Sequence, residues 1–244
     1  MKLLLLGATS PIARLLAMRF AAEGSSVYLA ARDAGEAARI ASDMSIRTGA
    51  VVLSGTFDAV DFASHASLVA RAADELGGLD GVVLCFGTLG DEDAAQIDPD
   101  AALATIHQNF TGAVSILTLA ARRLEEQKRG FMIVIGSVAG ERGRARNYVY
   151  GAAKGGLHTF AQGLRGRMAR AGVHVMTVKL GTVDTRMTWG REGTLLTVSP
   201  ERAANAIYAA YQRKAEVVYV PWFWRPIMGI VKLIPERIFK RTSF

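Results

Sequence analysis

The stretch Leu3-Leu4-Leu5-Leu6-Gly7-Ala8-Thr9-Ser10-Pro11-Ile12-Ala13 decides the fold. Four leucines with no polar alternation read as a short strand buried on both faces. Gly7 to Pro11 forms a turn, and Ile12, Leu15, Leu16, Arg19 and Phe20 then follow at helical spacing as far as Glu23. Gly24 ends that helix. A buried strand running through a glycine turn into a helix favours an open α/β sheet over a barrel. Such sheets collect their ligands at the carboxyl ends of the strands.

The alternation continues along the chain. Strands are expected at Val27–Ala31, Ala50–Leu53, Asp80–Phe86, Phe131–Ile135, Val173–Leu180 and Val217–Val220. Helices are expected at 34–48, at Phe62–Leu76 closed by Gly77-Gly78, and from Pro99 to Gln127 with Asp98 as N-cap. Two more run from about Tyr150 to Arg170 and from the Ser199 cap to Lys214. The reading is an α/β fold: a single doubly wound (Rossmann) domain over residues 1–220, with a parallel sheet of about seven strands and helices on both faces. Residues 221–244 form an apolar and basic C-terminal tail.

The bulk properties bound the function. A chain of 244 residues, half of them apolar, suits one large α/β domain. The net charge of +7 points to nucleic acid, an anionic membrane or an anionic ligand. Basic residues are interleaved with aromatics only in the tail, so nucleic acid is not expected. The single Cys85 excludes an intrachain disulfide and a cysteine-rich metal site, and no metal is expected. Four leucines are too short for a signal segment and no run is long enough to span a bilayer. The expected location is cytoplasmic, at most peripheral at the inner membrane face.

Three groups of residues carry chemistry. In the first turn, Gly7 allows a sharp bend, while Thr9, Ser10 and the helix beginning near Ile12 offer hydroxyls and N–H groups to a pyrophosphate. Arg32, after the second strand, suits the 2′-phosphate of NADP(H), although the adjacent Asp33 could meet the ribose hydroxyl of NAD(H). Finally, Tyr150 and Lys154 are i and i+4 on one helical face. A fixed cation beside a phenol lowers its pKa from about 10 and makes a proton donor and acceptor for neutral pH. Tyr148, six residues from Lys154, falls on another face. Ser137 ends the fifth strand and Asn109 lies in the helix before it.

Taken together, the glycine turn, Asn109, Ser137, Tyr150-x-x-x-Lys154 and Gly181-Thr182-Val183-Asp184-Thr185 resemble the short-chain dehydrogenases/reductases over residues 1–220. The resemblance implies NAD(P)H-dependent interconversion of a ketone and a secondary alcohol, with NADP(H) favoured and NAD(H) an option. Tyr150 is then the proton donor, and Ser137 bonds the carbonyl oxygen. Lys154 lowers the tyrosine pKa and holds the nicotinamide ribose, and Asn109 holds a relay water. Asp58 meets the adenine, Gly87 lies beside the adenosine ribose, and Val183 and Thr185 meet the carboxamide, with Gly181 in the preceding turn. The chain departs from the family where Pro11 and Ala13 replace two turn glycines, and where Leu84-Cys85-Phe86-Gly87 replaces Asn-Asn-Ala-Gly. These departures keep open a second reading, a non-catalytic nucleotide-binding regulatory or scaffold protein.

Within the family, Phe86-Gly87-Thr88-Leu89-Gly90-Asp91, Ala139-Gly140-Glu141-Arg142, Asn147–Gly151 and the Pro221-Trp222-Phe223 tail are similar to reductases that partner decaprenylphosphoryl-ribose epimerases. Those enzymes act on a 2-keto pentose carried on a polyprenyl phosphate. The expected partners are a small-molecule or lipid-linked carbonyl substrate, an oxidase, and further copies of the chain as a dimer or tetramer. The tail reads as a membrane-surface segment, a lid or an oligomer contact.

Overall fold

The computed structural model describes residues 1–185, Met187 and 196–242. Seven strands form one parallel sheet: β1 Lys2–Leu6, β2 Ser26–Ala31, β3 Val52–Thr56, β4 Gly81–Leu84, β5 Gly130–Ser137, β6 Val173–Leu180 and β7 Val217–Val220. Their order across the sheet is β3-β2-β1-β4-β5-β6-β7. The chain reverses its direction of winding between β1 and β4, which opens a crevice at their carboxyl ends.

The leucines of β1 explain the layering. Leu3 to Leu6 are all fully buried, and successive side chains point to opposite faces. Leu3 and Leu5 pack with α1 (Pro11–Ala22), α2 (Ala34–Thr48) and α8 (Pro200–Gln212). Leu4 and Leu6 pack with α3 (His65–Leu76), α6 (Gly112–Gln127) and α7 (Tyr148–Ala169). Each such burial contributes roughly 2 kcal/mol.

Several boundaries differ from expectation. β3 begins two residues later than expected and ends at Thr56, because Val51 is exposed and its carbonyl serves only to receive Val27 N–H. A short helix, α4 (Ala94–Ile97), precedes α5 (Pro99–Ile106), and Asp98 caps α5 by accepting Asp100 N–H at 3.0 Å. The long helix expected through to Gln127 is interrupted by a π turn at His107–Thr111. Such turns are frequent at functional sites.

The tail folds as α9 (Trp224–Leu233) and α10 (Glu236–Phe239). Trp224, Met228, Val231 and Phe239 bury their apolar faces against Val138. Arg142 donates to the Val231 carbonyl and to Glu236, and its guanidinium lies 3.8 Å from the Phe239 ring centroid. The main apolar face of α9 is therefore packed on the body of the protein. Gly181 is the site of close approach: a Cβ there would stand 1.9 Å from the Trp224 indole nitrogen.

Candidate active site

A cleft of about 1140 Å³ runs along the carboxyl ends of the strands. Its lining includes Gly7, Thr9, Ser10 and Ile12 of the first turn and Arg32 after β2. It continues past Cys85, Phe86 and Gly87 after β4, and past Ser137, Tyr150 and Lys154. Gly181, Val183 and Thr185 line it beyond β6.

Gly7 is required twice over. Its φ of +89° lies in the left-handed region, and a Cβ would stand 2.8 Å from the Cys85 carbonyl oxygen. α1 starts at Pro11, which has no N–H to lose at a first helical position. Arg32 is exposed at the cleft, whereas Asp33 caps α2 by accepting Glu36 N–H at 2.8 Å. Asp33 lines the cleft as well but spends one carboxylate oxygen on holding a helix, while Arg32 offers the cleft a guanidinium directly after β2.

α7 carries Tyr150 and Lys154. Tyr150 is buried and lines the cleft, while Tyr148 is 45 % exposed. Lys154 Nζ lies 5.7 Å from the Tyr150 ring centroid. Burial pushes the Lys154 pKa down to about 8, with Cys85 opposing the shift. Ser137 is brought alongside by direct backbone packing. A Cβ on Gly140 would stand 2.6 Å from the backbone of Lys154 and of Gly155, so the segment after Ser137 lies flat on α7. The Ser137 hydroxyl accepts Ala139 N–H at 3.2 Å.

Asn109 sits in the π turn and is buried. Its amide nitrogen donates to the carbonyls of Thr88 and Thr105 at 2.8 and 2.9 Å, and its oxygen accepts Thr88 N–H at 3.1 Å. The side chain thus fastens the loop after β4 beside Lys154. A Cβ on Gly87 would stand 2.6 Å from Asn109 Oδ1 and 3.0 Å from Lys154 Nζ. Asp58 is placed differently from the other expected residues. Its carboxylate accepts Val60 N–H at 3.0 Å, and its neighbours Phe57 and Ala59, rather than Asp58, line the cleft.

Arg14, Arg144, Asn147 and Trp224 also line the cleft, and the sequence reading had not singled them out. Arg14, at the end of the first turn of α1, could have been found from its position just beyond the glycine turn. Trp224 could not, since its place depends on how α9 docks.

The fold and cleft define a doubly wound α/β protein with a tyrosine–lysine pair at the carboxyl ends of its strands. A family model of short chain dehydrogenases matches residues 2–194. The chain belongs to that family, and is an NAD(P)-dependent oxidoreductase acting on CH–OH groups. An uncharacterized oxidoreductase of Mycobacterium tuberculosis (strain ATCC 25618 / H37Rv) is 39% identical over 235 residues, covering 96% of this chain and 94% of its own length. Another from Streptomyces coelicolor is 39% identical over 241 residues, covering 98% and 94%. Among solved structures, a short-chain dehydrogenase from Sphingobium yanoikuyae in complex with NADPH superposes with a TM-score of 0.82 at 24% identity, over 97% of each chain. The bulky-bulky ketone specific alcohol dehydrogenase from Comamonas testosteroni gives 0.79 at 21% identity, over 97% of this chain and 96% of that one. At these identities the two structures speak to the fold.

Proposed function

We propose that the protein is an NADPH-dependent carbonyl reductase whose proton donor is Tyr150. The observation that carries this reading is the convergence of Ser137, Tyr150 and the buried Lys154 on one cleft with Arg32. A non-catalytic scaffold would have no use for a buried lysine beside a tyrosine. The cleft has room and chemistry for a dinucleotide: a side-chain-free approach at Gly7, an exposed guanidinium for a phosphate, and a close approach at Gly87. The bound cofactor supplies the hydride. Tyr150 gives its proton to the carbonyl oxygen, Ser137 donates a hydrogen bond to that oxygen, and the Lys154 ammonium stabilises the phenolate left behind. Asn109 positions the loop beside Lys154 and is the candidate to hold a relay water.

Arg32 decides the cofactor. Its removal takes away a charge-assisted contact worth about 2 kcal/mol, close to thirtyfold in affinity. Arg32→Ala should weaken NADPH binding by about that factor and leave NADH binding unchanged in fluorescence titrations. Tighter binding of NADH than NADPH by the wild type would sink this assignment.

The finer reading of the substrate is a keto sugar carried on a lipid phosphate. It is supported by the outer face of the tail, where Trp222, Ile230, Leu233 and Ile238 are exposed beside Arg225, Arg237, Lys240 and Arg241. An apolar and cationic surface of this kind suits an anionic bilayer, and no described helix is long and apolar enough to cross one. On this reading the enzyme works at the cytoplasmic face of the membrane, as an oligomer, and receives its ketone from an oxidase. A ketone panel with NADPH tests it: a polyprenyl-linked keto pentose should be reduced with the highest kcat/KM, and only in the presence of anionic vesicles. Preference for a short soluble ketone would remove the lipid-linked substrate and leave the reductase reading intact.

A further inference from the structure

Behind the cleft lies a buried ionic cluster that proton and hydride transfer do not use. The turn that follows Ser137 ends on Glu141, whose side chain is 4 % exposed. Its carboxylate receives hydrogen bonds from Lys179 of β6, from Lys232 of α9 at 2.7 Å and from the Tyr219 hydroxyl of β7 at 3.0 Å. Burial alone would raise the Glu141 carboxyl, but the hydrogen bonds from Lys179, Lys232 and Tyr219 outweigh it and hold the pKa at about 2. A charge this deeply paired stays ionised wherever the protein is folded.

Toward α7, Glu141 faces His158. His158 Nδ1 lies 4.0 Å from Glu141 Oε1, and the other ring nitrogen, Nε2, accepts the backbone N–H of Ser137 at 3.3 Å. Burial first, and then the Lys179 ammonium, push the His158 pKa down to about 4, so the ring is neutral. A neutral imidazole has one donor and one acceptor. The carboxylate facing Nδ1 favours the proton there and leaves Nε2 free to accept from Ser137. The ring also has a prepared seat: a Cβ on Gly136 would stand 2.3 Å from His158 Nε2.

We propose that His158 and Glu141 are positioning residues for Ser137, and that Lys232 makes their hold on it depend on the docked C-terminal helix. The imidazole fixes the backbone from which the serine hydroxyl projects, the carboxylate fixes the tautomer, and the tail closes the cluster. This rests on the reading of Ser137 as the residue that binds the substrate carbonyl. It adds that the tail, through Lys232, bears on catalytic geometry from behind the cleft.

Two kinds of measurement test it on the full chain. Nitrogen-15 spectra of the imidazoles at pH 6 should show His158 neutral, with Nδ1 protonated and Nε2 bare. The opposite tautomer, or an imidazolium at that pH, would overturn the proposal. In turnover, His158→Leu and Glu141→Gln should lower kcat by about 10²-fold, the loss expected of a small misplacement, with NADPH affinity unchanged. His158→Gln, which keeps an acceptor, should recover most of the loss. Lys232→Met removes the tail's bond to Glu141 and leaves the Arg142 contacts and the packing on Val138 in place, and it should lower kcat to a lesser degree and speed solvent exchange of the Ser137 amide. That surface variant keeps the test decisive should His158→Leu fail to fold. Wild-type turnover and amide protection in all of them, with Tyr150→Phe inactive, would dispose of the positioning role and leave the reductase reading standing. An active Tyr150→Phe would do the reverse, and the ring tautomer and Ser137 amide exchange would still decide the positioning.

Discussion

Tyr150→Phe should bind NADPH as the wild type does and reduce ketones about 10²–10⁴-fold more slowly, the range set by the loss of a general acid. The substitution keeps the ring, which is 8 % exposed in its place on α7, and removes only the hydroxyl. Packing against the cleft wall is retained, so a fall in turnover without a fall in cofactor affinity isolates the proton transfer. Tyr148→Phe is the matched control. Tyr148 is 45 % exposed and lies on another face of α7, so its loss should leave kcat unchanged. Single-turnover oxidation of bound NADPH by excess ketone separates chemistry from product release. Equal rates for Tyr150→Phe and the wild type would remove this tyrosine from the mechanism.

Lys154→Met should lose activity and gain stability. Its ammonium is buried, and burial has moved its pKa from 10.5 to about 8. Keeping the charge in that environment at pH 7 costs about 3 kcal/mol relative to a solvated lysine. Methionine fills similar space without the charge, so the cofactor-free variant should melt several degrees higher. The same shift sets the pH dependence. The folded pKa is the lower one, so between pH 8 and 10.5 the unfolded chain binds the proton that the folded chain has released. Wild-type stability therefore rises across that window, and the advantage of Lys154→Met should shrink as pH rises through it. Denaturant titrations at pH 7 and near pH 10 measure this directly. An equal advantage at both, or a variant less stable than the wild type at pH 7, would show that Lys154 is not held against a desolvation cost. Activity should fall by a factor comparable to that for Tyr150→Phe, since the phenolate loses its counter-charge.

The strand-and-helix alternation was legible because a doubly buried strand and an amphipathic helix have different apolar periods. β6 and β7 were read to the residue, and α2 as well. Tyr150 was separable from Tyr148 by helical register alone. What stayed illegible has a common cause. The π turn at Asn109 leaves no mark in apolar spacing, and β3 is bounded by how its residues pair rather than by their hydropathy. Asp58 stands in the expected loop, but a local bond to Val60 N–H turns its carboxylate to its own backbone. The tail could be read as a membrane-surface segment, a lid or an oligomer contact because its apolar residues have no partner nearby in sequence. Their partner, Val138, is more than eighty residues away.

A phenol one helical turn from a lysine, and a glycine after a buried strand, each satisfy a short-range geometric rule, so these candidates are legible in the chain alone. What surrounds them is set by the packing of the fold. Gly140 lays the segment after Ser137 against the α7 backbone at Lys154, Gly181 admits Trp224 to the cleft wall, and Glu141 gathers Lys179, Tyr219 and Lys232 behind the serine. Each of these is a contact between segments far apart in the chain. It is set by steric room and by the need to pair buried charge, and neither leaves a periodic signal in the sequence.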